Sequence, residues 1–383
     1  MVLAAASIAS FLLFLYPFII YPRLLAALPK QPLARPQDGT DVSFTLVFCA
    51  YNEEQALPEK LANLRALVAR YPNLEILAYS DMSSDRTLEM LQAESDILTA
   101  VAATDRLGKA WGMRQLVAQA SGDVVIFTDA NVSLDLEAID RLASYFSDPE
   151  IGTVAGHLHY INEGESETAD IGNRYWSHEE RIKALESETG STMGADGAIF
   201  ARRRAAYPEV PPHLLDDLTA SISPLFDGYR VISAPDVIAY ERLTTDSGDE
   251  YRRKRRIACR AFNTHRHLWP KLKKLTPFNR FKYISHKVIR WLSPFFLATG
   301  VVFGLLWVMS LIGVALTLVL GAIAGLAAWT AWSRGLSPAR KIGEIFLALS
   351  ATGQGVIESL LGKTYQTWTP AQSRNASSDQ NTG

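Results

Sequence analysis

The chain has 383 residues, enough for one large domain with additions, and its 38 basic and 40 acidic residues leave a net charge of −2. That balance excludes a polyelectrolyte such as nucleic acid as a whole-chain partner. Two cysteines, Cys49 and Cys259, without CxxC spacing, exclude a disulfide framework and read as reduced core thiols in a reducing compartment.

In chain order, residues 1–28 carry a near-continuous apolar stretch with no basic region ahead of it, followed by Arg23, Lys30 and Arg35. This pattern predicts a membrane anchor rather than a cleaved signal peptide. Residues 40–250 then alternate strand-like and helix-like patterns. "FTLVFCA" (44–50) and "EILAYS" (75–80) read as strands, and 53–70 has helical spacing. A helix over 84–93 is opened by Ser83, Ser84 and Asp85. A short strand (97–103), a helix near 109–120 and the strand of "DVVIFTDA" follow. Such alternation predicts an α/β domain with a mostly parallel, doubly wound sheet, whose ligands bind beyond the carboxyl ends of the strands. Polar residues stand at those ends: Asn52, Glu53 and Glu54, then Asp81, then Asp129 and Asn131. Asp129 and Asn131, two apart, would point the same way if the strand continued through them. A hard cation such as Mg²⁺ or Mn²⁺ suits such oxygens, although one of the pair is an amide.

Glycine-rich phosphate cradles are absent. Gly108-Lys109 has Ala103 and Ala110 where a P-loop needs Gly and Ser or Thr. His157 and His159 form a His-x-His pair read as structural. "YWSHEERIKALES" (175–187) reads as an amphipathic helix docked on the membrane surface. Residues 251–290 are basic: from Tyr251 to Trp291 there are fourteen Lys or Arg and no Asp or Glu. Beside a membrane span, that composition predicts contact with anionic lipid. Residues 291–332 suffice for two transmembrane helices. Residues 342–362, with Gln354 and Glu358, suit a transmembrane, re-entrant or interfacial helix, and 363–383 form a polar tail that is disordered from 371. Basic residues flank the spans on one side, which places residues 30–290 in the cytoplasm, beneath a bacterial-type inner membrane crossed several times.

Six motifs in order, "AYNEE" (50–54), "SDMSSDRT" (80–87), "RLGKAWG" (106–112), "ASGDVVIFTDAN" (120–131), "GADGAIFARR" (194–203) and "LLDDL" (214–218), resemble family 2 glycosyltransferases of GT-A fold. The flanking apolar segments resemble the membrane-bound branch that contains cellulose, hyaluronan and poly-N-acetylglucosamine synthases. The resemblance implies a nucleoside pocket at Ala50, Tyr51 and Glu53, with Asp81 accepting from the uracil or ribose and Lys109 neutralising phosphate. It implies metal binding at Asp129, with Asn131 in the place of the second acid. Asp217 would be the general base, with Asp216 the neighbour that sequence does not rank against it. Asp196 would border the sugar, acceptor and diphosphate site. Arg253 and Arg256 stand where the synthases carry QxxRW, and only the arginine is kept, since Ile257 replaces the Trp. That departure, with few apolar spans, points to short transfer or to dependence on partner subunits of polysaccharide export.

The expected activity is inverting transfer from a nucleotide sugar, a UDP-sugar first, to a glycan or polyprenyl-linked glycolipid. It needs one base for the acceptor proton and a Mg²⁺ or Mn²⁺ ion for the leaving diphosphate. Two rivals stand beside it. A nucleotidyl transferase would need a basic, glycine-rich first loop, whereas "AYNEE" is acidic. A catalytically weak or inactive sugar-nucleotide- or lipid-binding partner of a larger synthase is suggested by the missing QxxRW.

Overall fold

The structure is a computed structural model. It describes residues 1–31, 42–161, 167–205, 207–243, 246–334 and 336–370, with the side chains of 167–171 and 174 left aside. Arg35 and the tail from 371 lie outside these residues.

An apolar, β-branched run becomes a strand wherever both its faces can be covered. Among the described residues there are eight strands, of which β1, β2 and β4 fit this most fully: β1 (Phe44–Ala50), β2 (Glu75–Ser80), β3 (Thr99–Ala102), β4 (Val124–Asp129), β5 (Ser133–Leu134), β6 (Ile151–Tyr160), β7 (Ile199–Arg203) and β8 (Arg230–Glu241). They form one sheet in the order β3-β2-β1-β4-β7-β6-β8-β5. The pairs β3–β2, β2–β1, β1–β4 and β6–β8 are parallel, and β7 runs antiparallel to both its neighbours. Every residue of β1 is buried. Helix Leu57–Arg70 covers one face with Leu57, Leu61, Leu64 and Leu67, and Met113, Leu116 and Val117 of helix Lys109–Gln119 cover the other. This mixed, mostly parallel sheet with helices on both faces is the α/β architecture expected.

Topology positions the site. Because β1, β2, β4, β6 and β8 share one direction, their last residues lie on one edge. Antiparallel β7 brings its start, and the "GADG" loop before it, to the same edge.

Local boundaries move where tertiary bonds decide them. The helix expected from 84 begins at Thr87. Asp85 instead accepts from the backbone N–H groups of Glu54 and Thr87, tying the loops after β1 and β2 together. Asn52 and Met82, just past β1 and β2, adopt left-handed backbone, the kind of local strain that the surrounding structure has to hold in place.

Among the described residues, three helices are long and apolar enough to cross a membrane: Val2–Ala26, Pro277–Ile312 and Val314–Ser333. The last two are split at Gly313, whose φ is +84°. Helix Ser337–Leu360 is not among them. It lies along the basic helix Ser247–Leu272, with Gln354 accepting from Tyr251, Glu358 near Arg255, and Ser359 O accepting from Arg266.

Part of the basic stretch faces the protein for that reason: Arg253, Lys254, Arg255 and Arg260 have carboxylate or carbonyl partners there, whereas Arg252, Arg266, Lys271, Lys273, Lys274 and Arg280 stay exposed. The membrane-surface reading of 175–187 is corrected too. Glu179, Glu180, Lys183 and Glu186 of helix Glu167–Glu188 are buried. Glu179 meets His286, Lys287 and Arg290, and Glu186 accepts from Tyr21 at 2.6 Å and pairs with His286 at 3.0 Å. Charges removed from water need partners, and here the partners come from the apolar helices' own ends.

Candidate active site

Lys109 opens helix Lys109–Gln119, and its approach is set by the loop before it. Asp81, fully buried at the end of β2, accepts from the backbone N–H groups of Leu107 and Gly108 at 3.0 and 3.1 Å. Burial raises the Asp81 carboxyl, and those two N–H groups offset part of the rise. Asp81 therefore holds the lysine loop, with both oxygens accepting from it.

Lys109 Nζ lies 2.5 Å from Asp129 Oδ1 at the tip of β4 and 3.8 Å from Asp216 Oδ2. Burial lowers the ammonium, and Asp129, Asp216 and Asp217 together more than reverse that, so the cation is held charged. Gly197 permits the convergence. A Cβ there would stand 2.9 Å from Lys109 Nζ and 3.3 Å from Asp217 Oδ2. Four segments far apart in sequence thus deliver Lys109, Asp129, Gly197 and the Asp216–Asp217 pair to one point.

The acid pair starts helix Asp216–Ile222, whose free N–H groups favour carboxylates in the first turn. Asp217 Oδ1 accepts from the Leu218 N–H at 2.7 Å. Burial and the neighbouring Asp216 nevertheless push Asp217 up from 3.8 to about 6, the range of a group that exchanges protons near neutrality. Arg260, which the sequence reading missed, sits behind the pair. It donates to Leu214 O and lies 3.8 Å from Asp216 Oδ1. Its signal was helical spacing, since Arg253, Arg256 and Arg260 share one face of helix Ser247–Leu272. Arg256 is half-buried, one turn short of that contact.

Strand geometry stops at Asp129, so Asn131 does not continue its direction. Asn131 Nδ2 donates to Glu241 Oε1, at the end of β8, at 3.0 Å. Lys60 lies fully buried behind this turn and donates to Val132 O at 2.6 Å. Burial pulls Lys60 down to about 7, against the opposing pull of Asp129. Arg253 joins from the other side. Burial works against its charge, while Glu250, Glu241, Tyr160 and Asp129 keep it charged.

Among the described residues no three His, Cys, Asp or Glu side chains form a metal cage. The donor set fits a hard cation only as a shared one, with Asp129 as its one carboxylate and the remaining oxygens supplied by a ligand. His157 and His159 take no part, since His157 Nδ1 faces Glu180 at 3.3 Å.

At the ends of β1 and β2, Ala50 O accepts from the Asp81 N–H at 2.9 Å, and the Glu53 N–H donates to Thr87 Oγ1 at 2.8 Å. Arg106 lies over the Tyr51 ring at 3.5 Å, and Trp368 meets the same ring edge-on at 6.0 Å. Trp368 O accepts from Arg106, and Gln366 Nε2 donates to Leu107 O at 3.1 Å. Residues 363–370 therefore return to the site edge. Asp196 is drawn away from the cluster, with Oδ2 bonded to buried Lys183 at 2.9 Å, and Lys183 also pairs with Glu180 at 2.5 Å.

Residues 45–210 match the model of the family described as Glycosyl transferase family 2. The N-acetylglucosaminyltransferase of Rhizobium meliloti (strain 1021) is 25% identical over 322 residues, covering 78% of this chain and 74% of the relative. The poly-beta-1,6-N-acetyl-D-glucosamine synthase of Staphylococcus aureus (strain COL) is 26% identical over 220 residues, covering 55% of this chain and 52% of the relative. In fold, the chain resembles the mannosyltransferase PcManGT from Pyrobaculum calidifontis, solved in complex with GDP-Man and Mn²⁺. The TM-score is 0.73 at 20% identity, covering 94% of this chain and 99% of that one.

Proposed function

We propose, on the match of residues 45–210 to the glycosyl transferase family 2 model and on the likeness in fold to a solved mannosyltransferase, inverting sugar transfer from a nucleotide sugar to a glycan or polyprenyl-linked glycolipid at the cytoplasmic membrane face. One observation carries this reading. Asp217, raised to about 6, shares a cluster with Lys109 and Asp129 at the carboxyl edge of the sheet.

The chemistry follows from the groups in place. The acceptor hydroxyl oxygen attacks the anomeric carbon as the bond to the nucleoside diphosphate breaks, inverting that carbon. Asp217 takes the hydroxyl proton. Lys109 offsets charge on the departing diphosphate, in a site where burial makes such a cation effective. Asp129 would hold Mg²⁺ or Mn²⁺ together with the diphosphate, and that ion would supply further neutralisation. Tyr51, Arg106 and Trp368 offer flat faces to a nucleobase. UDP-linked sugars are the first donors to test, UDP-N-acetylglucosamine before others, because both sequence relatives carry N-acetylglucosamine in their names. The three apolar helices and the basic residues flanking them support the membrane seat.

Purified full-length protein, given Mn²⁺ or Mg²⁺ and UDP-N-acetylglucosamine, UDP-glucose or GDP-mannose, is expected to transfer or hydrolyse at least one donor. Inertness toward all of them sinks the reading. It then gives way to a binding partner of a larger synthase, which Ile257 in place of the family's Trp would favour.

A further inference from the structure

The elbow between the basic helix Ser247–Leu272 and the apolar helix Pro277–Ile312 carries side chains that the reaction outlined above leaves idle. Lys271, Lys273, Lys274 and Arg280 are exposed there. So are Trp269, Phe278 and Phe281, at 40%, 38% and 39%. Among the described residues, carboxylates pair with Arg252, Arg253, Lys254, Arg255 and Arg260 earlier in the helix, and with none of these four cations. Composition spread lipid contact over all of residues 251–290, and the unpaired charges narrow it to 271–280.

Exposed rings beside exposed cations suit the boundary between a bilayer and water, where rings lie among headgroups and cations meet their charge. The fold sets the elbow at that level. Phe281 meets the Tyr21 ring edge-on at 6.0 Å and stacks on Phe278 at 6.3 Å. Tyr21 closes the apolar run of helix Val2–Ala26, two residues before Arg23. Ser7, near the far end of that helix, bonds to Gly300. The two apolar helices therefore lie side by side and antiparallel, with Phe281 at the basic-flanked end of both. An anionic phospholipid supplies a phosphodiester for the cations and acyl carbons for the ring edges. A zwitterionic headgroup brings its own cation and offers no net attraction.

The elbow also rests on the reactive cluster's supports. Beneath it, Leu268, Leu272, Leu275 and Tyr283 pack in one apolar cluster with Ile222 and Met193. Ile222 ends the helix whose first turn holds Asp217, and Met193 precedes the "GADG" loop. We propose that the elbow docks anionic phospholipid headgroups, and that docking steadies the helix carrying Asp217. The docking stands without the glycosyltransferase reading, and the link to Asp217 rests on it.

The test uses full-length protein in nanodiscs of phosphatidylcholine, alone or mixed with phosphatidylglycerol, and follows acylation of single lysines by peptide mass spectrometry. Phosphatidylglycerol should slow the labelling of Lys271, Lys273 and Lys274 about fivefold, the attraction of one charge to an anionic surface. Lys363, at the site edge, should serve as the unchanged reference. High salt should abolish the difference. Equal rates in the two discs, or the same slowing by inorganic phosphate in phosphatidylcholine discs, overturn the docking.

Lys273→Gln/Lys274→Gln removes two exposed charges and nothing from the core. Phosphatidylglycerol should raise wild-type kcat about threefold, a modest coupling through packed side chains. The lysine variant should match wild type in phosphatidylcholine and lose the rise. Arg65→Gln/Arg70→Gln, an equal charge loss on another helix, should keep it. A rise retained by the lysine variant, or none in wild type, overturns the link to Asp217. If wild type turns over no donor in either disc, the functional reading fails, and lysine acylation still decides the docking.

Discussion

Asp217→Asn should separate turnover from stability in opposite directions. The substitution keeps an oxygen to accept from the Leu218 N–H and removes the proton acceptor. Loss of a positioned general base costs about 10²–10⁴ in rate. The stability term follows from the raised carboxyl. Its rise from 3.8 to about 6 means that the ionised form weakens the folded state by about 3 kcal/mol relative to the neutral one. The folded value lies above the unfolded one, so the stability this group lends is fully present below about pH 4 and is lost as pH rises through about 6. The neutral amide avoids that loss. The variant should therefore unfold at the wild-type temperature near pH 4 and at a higher temperature at pH 8, while nucleotide affinity is retained. Wild-type kcat/KM should climb through about pH 6 as the base ionises. Thermal unfolding in detergent at the two pH values, nucleotide titration and a pH–rate profile measure all three. A variant with more than a tenth of wild-type turnover, or one less stable at pH 8, would refute the assignment.

Lys109→Met leaves Asp129, Asp216 and Asp217 facing one another without their cation, and should cost about 3–5 kcal/mol along with most donor affinity; unchanged thermal stability would count against the cluster. Asn131→Asp removes the donor to Glu241 and sets a second acid against it, so thermal unfolding at pH 7 should show a loss of about 1–3 kcal/mol. Unchanged stability would show that this contact does not hold the turn after β4. Gly108→Ala combines φ +87° with a Cβ driven into the Gln366 carbonyl. It should release residues 363–370 and expose them to protease, and an unchanged digestion pattern would show that this contact does not hold the segment.

Where one property fixes the structure, the residues were readable in advance. β1 and β2 match their apolar runs residue for residue, because buried parallel strands need continuous apolar sequence. Lys109, Asp129 and Asp217 were found through motif order, and the fold brings them together. What escaped depends on contacts between distant segments. Nothing in "IFTDAN" announces that Asn131 turns toward Glu241, which is 110 residues away. The amphipathic look of 175–187 was real, but its charged face meets buried His286 and Arg290 instead of water. Composition cannot distinguish those two fates. Asp81 had the expected position, and its bonds to loop 107–108 were not legible in the sequence.

The bond between Ser7 and the carbonyl of Gly300, 2.9 Å long, joins residues 293 apart in the chain. It has a consequence for biosynthesis. At about 5–20 residues per second, the ribosome needs roughly a quarter of a minute to a minute to make the second helix after the first has emerged. Throughout that interval Ser7 waits for Gly300, while Tyr21 and Leu25 meet Ile182 and Glu186 earlier and Tyr21 meets His286 only late. The nascent chain must therefore be shielded early and assembled late. Substitutions along this seam should show themselves first as poor yield of inserted protein, with any molecules that do assemble carrying an intact site.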